Sequence, residues 1–249
     1  MRIMLAAALA MMAGPVFADQ VADLIAGTIR ECRGCDLQDA NFKKADLTGI
    51  DLTGANLTDA TFHRAKLQGA NLTGVTAIGT NFNLADLTQA RMTNADLSRS
   101  MFYGAQMSGA DLGGANLTEA RMQTARLTSA KLPGAVLDRA LLRDAVANNA
   151  DFRRASIQKT NLDAAHLGRS LFDGATITYA GFVKAKASNA SFVGATISLS
   201  DFYSADLRRA KVTGATLTGN RFTTAATSEV DFEKATMRGN FMEDGRLQD

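Results

Sequence analysis

Apolar and polar positions follow one another along the chain with a period of five. From Cys35 to Met242 the order small, polar, large apolar, polar, polar repeats without a break in register, as in Ala40-Asn41-Phe42-Lys43-Lys44 and Ala45-Asp46-Leu47-Thr48-Gly49. The large apolar positions, 37, 42, 47 and onward to 242, number 42 and hold 18 Leu, 11 Phe, 5 Met, 3 Ile, 3 Ala, 1 Val and 1 Thr. The small positions, two residues earlier, are Ala at 31 of 42. None of these 84 positions is charged although 21% of the chain is. Both must therefore face a dry interior, where an unpaired ion costs several kcal/mol.

A period of five is neither the 3.6 of an amphipathic helix nor the alternation of a plain strand. Within each unit, however, two inward residues flank one outward residue, which is the spacing of a short extended segment, and the remaining two residues must turn a corner. Such units predict a solenoid, a stack of coils around one apolar axis. Sorting the large apolar positions by twenty gives the coil length: Phe42, Phe62, Phe82 and Phe102 fall in one column, Phe152, Phe172 and Phe192 in another, and the column of Leu37 holds no aromatic. Gly54, Gly74, Gly114, Gly134, Gly174, Gly194 and Gly214 all close one side, where a turn with positive φ favours glycine. Volumes trade within a coil as close packing requires, with Ala187 opposite the two rings of Phe182 and Phe192. The coil of Leu137, Leu142, Ala147 and Phe152 lacks a second ring and predicts a small void.

The units Ala-Asp-Leu-Thr-Gly (45–49) and Ala-Asn-Leu-Thr-Asp (55–59) resemble those of the pentapeptide-repeat superfamily. The resemblance covers roughly residues 32 to 242 and implies an all-β fold, a right-handed quadrilateral β-helix. About ten coils of ~20 residues at ~4.8 Å give a rod roughly 50 Å long. It also implies pairing of two copies through one end of the rod, since members often dimerise so. It is nearly silent on activity.

Residues 1–18 carry one charge, Arg2, then an apolar run from Ile3 to Met12, then Gly14-Pro15 and Val16-Phe17-Ala18 with small residues where signal peptidase needs them. The reading is a secretory signal cleaved after Ala18, hence a periplasmic or secreted protein with no membrane span after its removal. The run is too short for an anchor. Residues 19–34 form an N-terminal cap: Val21, Leu24 and Ile25 at helical spacing predict a short amphipathic helix across the open end of the first coil. Cys32-Arg33-Gly34-Cys35 holds both cysteines of the chain. Haem attachment would need His next, where Asp36 stands; zinc would need two more ligands, and His63 and His166 lie far apart along the rod. An exported chain favours a disulfide clamping cap to coil, with reduced core packing of Cys35 the other reading. Residues 35–242 are the repeats, and 243–249 read as a polar tail whose charges discourage end-to-end stacking.

Function must lie on the exterior. Basic spots at Lys43, Lys44 and Arg64, at Arg153-Arg154 and at Arg208-Arg209 are interrupted by Asp46, Asp51, Asp86, Asp96, Asp111 and Glu119. Without a continuous basic stripe, no nucleic-acid partner is expected. The best-known role within the superfamily is protection of DNA gyrase by members that mimic duplex DNA, which needs a strongly negative face; this chain without residues 1–18 has a net charge of +1. One side is uncharged: Thr176-Ile177-Thr178, Thr196-Ile197-Ser198 and Thr216-Leu217-Thr218 set hydroxyls in two rows, with Tyr179 and Leu199 beside them. That side is a candidate docking face, and hydroxyl rows also resemble those of ice-binding solenoids. No nucleophile, phosphate loop or metal cluster emerges, so neither catalysis nor a cofactor is expected, and the protein reads as a scaffold that binds a protein partner.

Overall fold

The computed structural model describes residues 15–248; the expected signal segment lies largely outside them. A helix, α1 (Pro15–Ala26), precedes the coils. It ends as the small residue Gly27 requires: Gly27 takes φ +73°, its N–H donates to the Leu24 carbonyl at 3.2 Å, and the Thr28 N–H reaches the Asp23 carbonyl at 3.0 Å. Leu24 is fully buried and Val21 packs on the core, whereas Ile25 points to water, 46% exposed, against the expectation that all three face inward. The apolar stripe of this short helix is narrower than its sequence spacing implied.

From Arg30 on, the chain is a solenoid with an offset of 20. Parallel pairing links each residue to the one twenty further, from Glu31↔Asp51 to Arg221↔Phe241. The backbone explains the unit of five. In Leu37–Asn41, the Leu37 N–H donates to Asn56 O (2.8 Å) and the Asp39 N–H to Thr58 O (3.0 Å) in the next coil. The Ala40 N–H closes the corner onto Leu37 O (3.2 Å), and one coil further the Thr61 N–H reaches back to Ala40 O (2.8 Å). Four of every five donors thus have backbone partners. The fifth, on the first corner residue, is taken by an Asp or Asn side chain in many units: Gln38 N–H by Asp36 Oδ1 at 3.3 Å, Lys43 N–H by Asn41 Oδ1 at 3.1 Å, Thr53 N–H by Asp51 Oδ1 at 3.0 Å. Asp and Asn recur at this outward position because they satisfy that donor. Mere tolerance does not account for them.

Each coil has four sides. We number them by their residues in the first coil: side one 35–39, side two 40–44, side three 45–49 and side four 50–54. The corner residue takes positive φ on all four sides, at Lys44 (61°), Arg64 (58°) and Leu84 (58°) as well as at Gly54 (68°), so the glycines of side four are one solution among several. Each non-glycine there strains the backbone by about 1–2 kcal/mol, offset by the corner and intercoil hydrogen bonds.

The sequence predicts about ten coils of stacked strand. Regular parallel strand is instead confined to side one of the later coils, over about four turns: β1 (Ser156–Gln158), β2 (Thr176–Thr178), β3 (Thr196–Ser198), β4 (Thr216–Thr218) and β5 (Thr236–Arg238) form one parallel sheet in that order. Elsewhere the coils meet through single-residue bridges. At the corners of β2, β3 and β4 a buried polar column accompanies the strand. Asn220 sets its side-chain amide into the corner of the preceding coil, Oδ1 accepting from Ser200 N–H (2.9 Å) and Nδ2 donating to Ile197 O (2.9 Å). Asn240 does the same one coil on, to Asn220 N–H (2.9 Å) and Leu217 O (2.8 Å). Ser200 Oγ accepts from Ala180 N–H at 3.1 Å. Where these side chains enter, the corner no longer closes on itself as it does at Leu37–Ala40, and the outward residues extend into strand.

The interior is the expected charge-free tube. Phe42, Phe62, Phe82 and Phe102 stack with centroids 4.9, 5.1 and 5.1 Å apart, and Phe152, Phe172 and Phe192 at 4.9 Å. Phe172 meets Phe182 edge-on at 6.2 Å. Leu137, Leu142, Ala147 and Phe152 are all buried, but the apolar cavity opens elsewhere, among Phe192, Val212, Phe222 and Phe232. Val212 interrupts the phenylalanine column there, and the missing ring leaves the space.

The last coil loosens. Phe232–Lys234 forms a 3-10 turn, and Gly214 N–H finds Lys234 O (2.7 Å) in place of the residue before it, a slip of one residue that is regained at Thr236. Of the expected polar tail, residues 243–248 turn back: β6 (Asn240–Phe241) pairs antiparallel with β7 (Leu247–Gln248). Phe241 accordingly faces outward rather than finishing the core, while Met242 packs against it.

Candidate functional site

The hydroxyl rows sit on β2, β3 and β4. Thr176, Thr196, Thr216 and Thr236 pair in register along the outer face of the sheet, and Thr178, Ser198 and Thr218 form the second row. Thr178 and Ser198 share a hydrogen bond of 3.2 Å, so this row is partly satisfied within itself. Tyr179 and Leu199 stand exposed at the corner, 57% and 50%, and the row of corners continues with Gly219 beneath the Leu199 side chain. Lys159 and Arg238 bound the uncharged stretch at its two ends.

Cys32 and Cys35 are joined, their Cα atoms 5.4 Å apart, where the chain leaves the cap, and Gln20 Nε2 of α1 lies 3.8 Å from Cys35 Sγ. One basic spot is neutralised and another half so: Arg208 pairs with Asp206 (2.7 Å) and Arg209 with Glu229 (3.1 Å), and Arg153 pairs with Asp151 (2.6 Å). His166 and Lys186 face each other at 3.2 Å on the outer surface of side three, and His63 lies on side two, so the histidines are not brought together. Among the described residues no group of three or more His, Cys, Asp or Glu is placed to hold a metal, and no helix is long and apolar enough to cross a membrane.

The outward apolar side chains hold one feature that the sequence reading passed over. Of the ten large ones exposed among the described residues, Leu84, Tyr103, Leu141, Tyr203 and Phe241 lie on side two and Tyr179 and Leu199 on the corner that bounds it. Sorting by twenty would have shown this, had it been applied to outward positions as well as inward ones.

The carboxylates set an acid limit on the rod. Asp46 is held down to about 2, first by the Thr48 hydroxyl at 2.7 Å and then by the Lys66 ammonium at 3.1 Å. The Thr53 hydroxyl lowers Asp51, and Arg153, Arg208 and Lys234 lower Asp151, Asp206 and Asp231. Because folding lowers these values, their stabilising share is complete above the unfolded value of 3.8 and is lost as pH falls toward about 2. Melting temperature should hold level from pH 8 to about 5 and fall between about pH 4 and 2; a curve still level at pH 2 would contradict this account of the corners.

The sequence profile described as pentapeptide repeats matches in eight copies, over residues 35–74, 80–118, 120–158, 180–219 and 200–239. Among solved structures, the chain is similar to HetL, a pentapeptide repeat protein involved in heterocyst differentiation regulation from the cyanobacterium Nostoc, at 27% identity over 92% of this chain and 98% of that one, with a TM-score of 0.40. It is similar to a pentapeptide repeat protein of the Arabidopsis thaliana thylakoid lumen, at 27% identity over 39% and 68%, TM-score 0.39. QnrB1, a plasmid-mediated fluoroquinolone resistance protein, matches at 22% identity over 70% and 86%, TM-score 0.36. The comparison with curated proteins found no match.

Proposed function

The chain belongs to the pentapeptide-repeat family, and from that premise we propose that it is an exported, non-catalytic scaffold that docks a protein partner on side one of its later coils. The observation that carries this reading is the bare outer face of the β1–β5 sheet, uncharged from Thr176 to Thr218 and flanked by the exposed Tyr179 and Leu199. Hydroxyls and a tyrosine give a partner hydrogen-bonding and apolar area without the cost of stripping water from ions. Export rests on the apolar run before Ala18 and on the joined Cys32 and Cys35, which suit an oxidising compartment.

Crosslinking and pull-down from the periplasmic fraction test the docking. A partner held by the wild type should be lost from the double variant Thr196→Lys and Thr216→Lys, which sets two ammonium groups on the bare face. Retention of every partner by that variant would remove side one from the reading. The mass of the N-terminus tests the address: a chain beginning at Asp19 is expected, and an intact Met1 in the cytoplasm would overturn export and reopen mimicry of DNA.

A second reading draws on the in-register threonines: an ice or mineral surface could be met by the same rows. The bulky Tyr179 and Leu199 at the edge and Arg238 in the second row interrupt the flatness such a surface needs. Ice crystals grown with the protein should show the habit of pure water, and shaping that Thr196→Lys abolishes would favour this reading over docking.

A further inference from the structure

On side two of the first six coils the one acidic side chain is Asp144 at the far end, where it pairs with Arg143 at 3.5 Å; none lies between Asn41 and Leu141. Lys43, Lys44, Arg64 and Arg121 lie there, and among the described residues none of them is paired with an acid. Between them run apolar side chains: Leu84 is 39% exposed, Tyr103 54% and Leu141 36%. Asp39, Asp59 and Glu119 sit on the neighbouring corner, outside the strip, and Glu119 is paired with Arg139. Cations left without partners beside apolar groups left in water are complementary to a surface that offers the reverse charge around an apolar stripe.

We propose that this strip is a second docking surface, and that its occupant is an acidic amphipathic helix of a partner protein. From Asn41 to Leu141 the strip spans five coil spacings, roughly 24 Å at ~4.8 Å each, the length of a helix of about 16 residues. It is one side of the tube wide, so it admits one such element. Its relief suits a packed helix better than a lipid surface. Leu84 lies along the rod over Gly104, where a Cβ would come within 2.8 Å of Leu84 Cδ2, so the leucine is laid flat by the glycine of the next coil and does not project. Leucines on a helix can rest against Leu84, with glutamates toward Lys43 and Arg64 at one end and Arg121 at the other.

A designed peptide of about 18 residues, with a leucine stripe flanked by glutamates, provides the probe, with a lysine-for-glutamate counterpart and vesicles of phosphatidylglycerol and phosphatidylethanolamine as the other arms. The glutamate peptide should bind the intact protein, and should weaken at least about tenfold with Leu84→Glu and Tyr103→Glu together and again as salt rises from about 0.05 to 0.5 M. Thr196→Lys with Thr216→Lys, on the other face, should leave its binding unchanged, which keeps this surface separable from the one on β1–β5. No binding of the glutamate peptide, equal binding of its lysine counterpart, or binding of the vesicles alone would each overturn the proposal. Melting curves of the variants check that loss of binding is not loss of fold.

Discussion

Phe82→Ala is expected to cost about 3–5 kcal/mol of stability, the range for removing a buried ring from a core that cannot collapse around the space. Phe82 is fully buried and has a ring on each face, Phe62 at 5.1 Å and 13° and Phe102 at 5.1 Å and 7°. The stack fixes the distance between coils through backbone hydrogen bonds on all four sides, so neighbouring rings cannot slide inward to fill the gap. Phe82→Leu should cost clearly less than Phe82→Ala, because it leaves a smaller space and the same column already accepts Leu142 and Leu162. Urea titration followed by circular dichroism measures both. A loss below about 1 kcal/mol for the alanine variant would mean that the coils are not held apart as described.

The second large effect is at Asn220. Asn220→Leu should cost about 2–6 kcal/mol, because Ser200 N–H and Ile197 C=O are then left buried and unpaired, at about 1–3 kcal/mol each, and the bulk of leucine keeps the corner open. Asn220→Ala should cost less, about 1–2 kcal/mol. With no side chain in the corner, Ser200 N–H can return to Ile197 O, as Ala40 N–H meets Leu37 O at 3.2 Å. Equal losses in the two variants would show that the amide does not hold the corner apart. Hydrogen exchange at Ser200 separates the cases: its amide should exchange faster in the leucine variant and stay protected in the alanine variant.

The difference between those two residues also marks what could be read from the chain. Phe82 was legible because burial on a period of twenty leaves a column of one residue type, and any column of large apolar residues must stack somewhere. Asn220 and Asn240 occupy the same class of inward position as thirty-one alanines, and appear in sequence only as exceptions. That an amide fits there follows from its geometry against two backbone groups, which spacing alone does not reveal. The role of the outward Asp and Asn is hidden for a related reason. Their partner is a backbone N–H two residues on, and a list of side chains does not show which donors are left over. On the exterior, the hydroxyl rows of Thr176, Thr196 and Thr216 were visible as a repeated tripeptide. Leu84, Tyr103 and Leu141 share no local motif and stand in different slots of their units, so only the tube brings them together. The hairpin of Asn240–Phe241 with Leu247–Gln248 was hidden by its charges, since Glu243, Asp244 and Arg246 form the turn and carry no apolar pattern.

The constant offset of twenty has a consequence for how such a molecule can change over generations. Its length is quantised. Removing twenty residues takes out one storey and leaves every remaining group on the same compass bearing, whereas removing five swings everything beyond the cut by a quarter turn and separates the upper half of each wall from the lower. Removing one residue throws oily groups into water and ions into the shaft from that point on. Inherited variation in size must therefore come in whole storeys, while single-letter variation can repaint the outside walls wherever no corner donor depends on the letter.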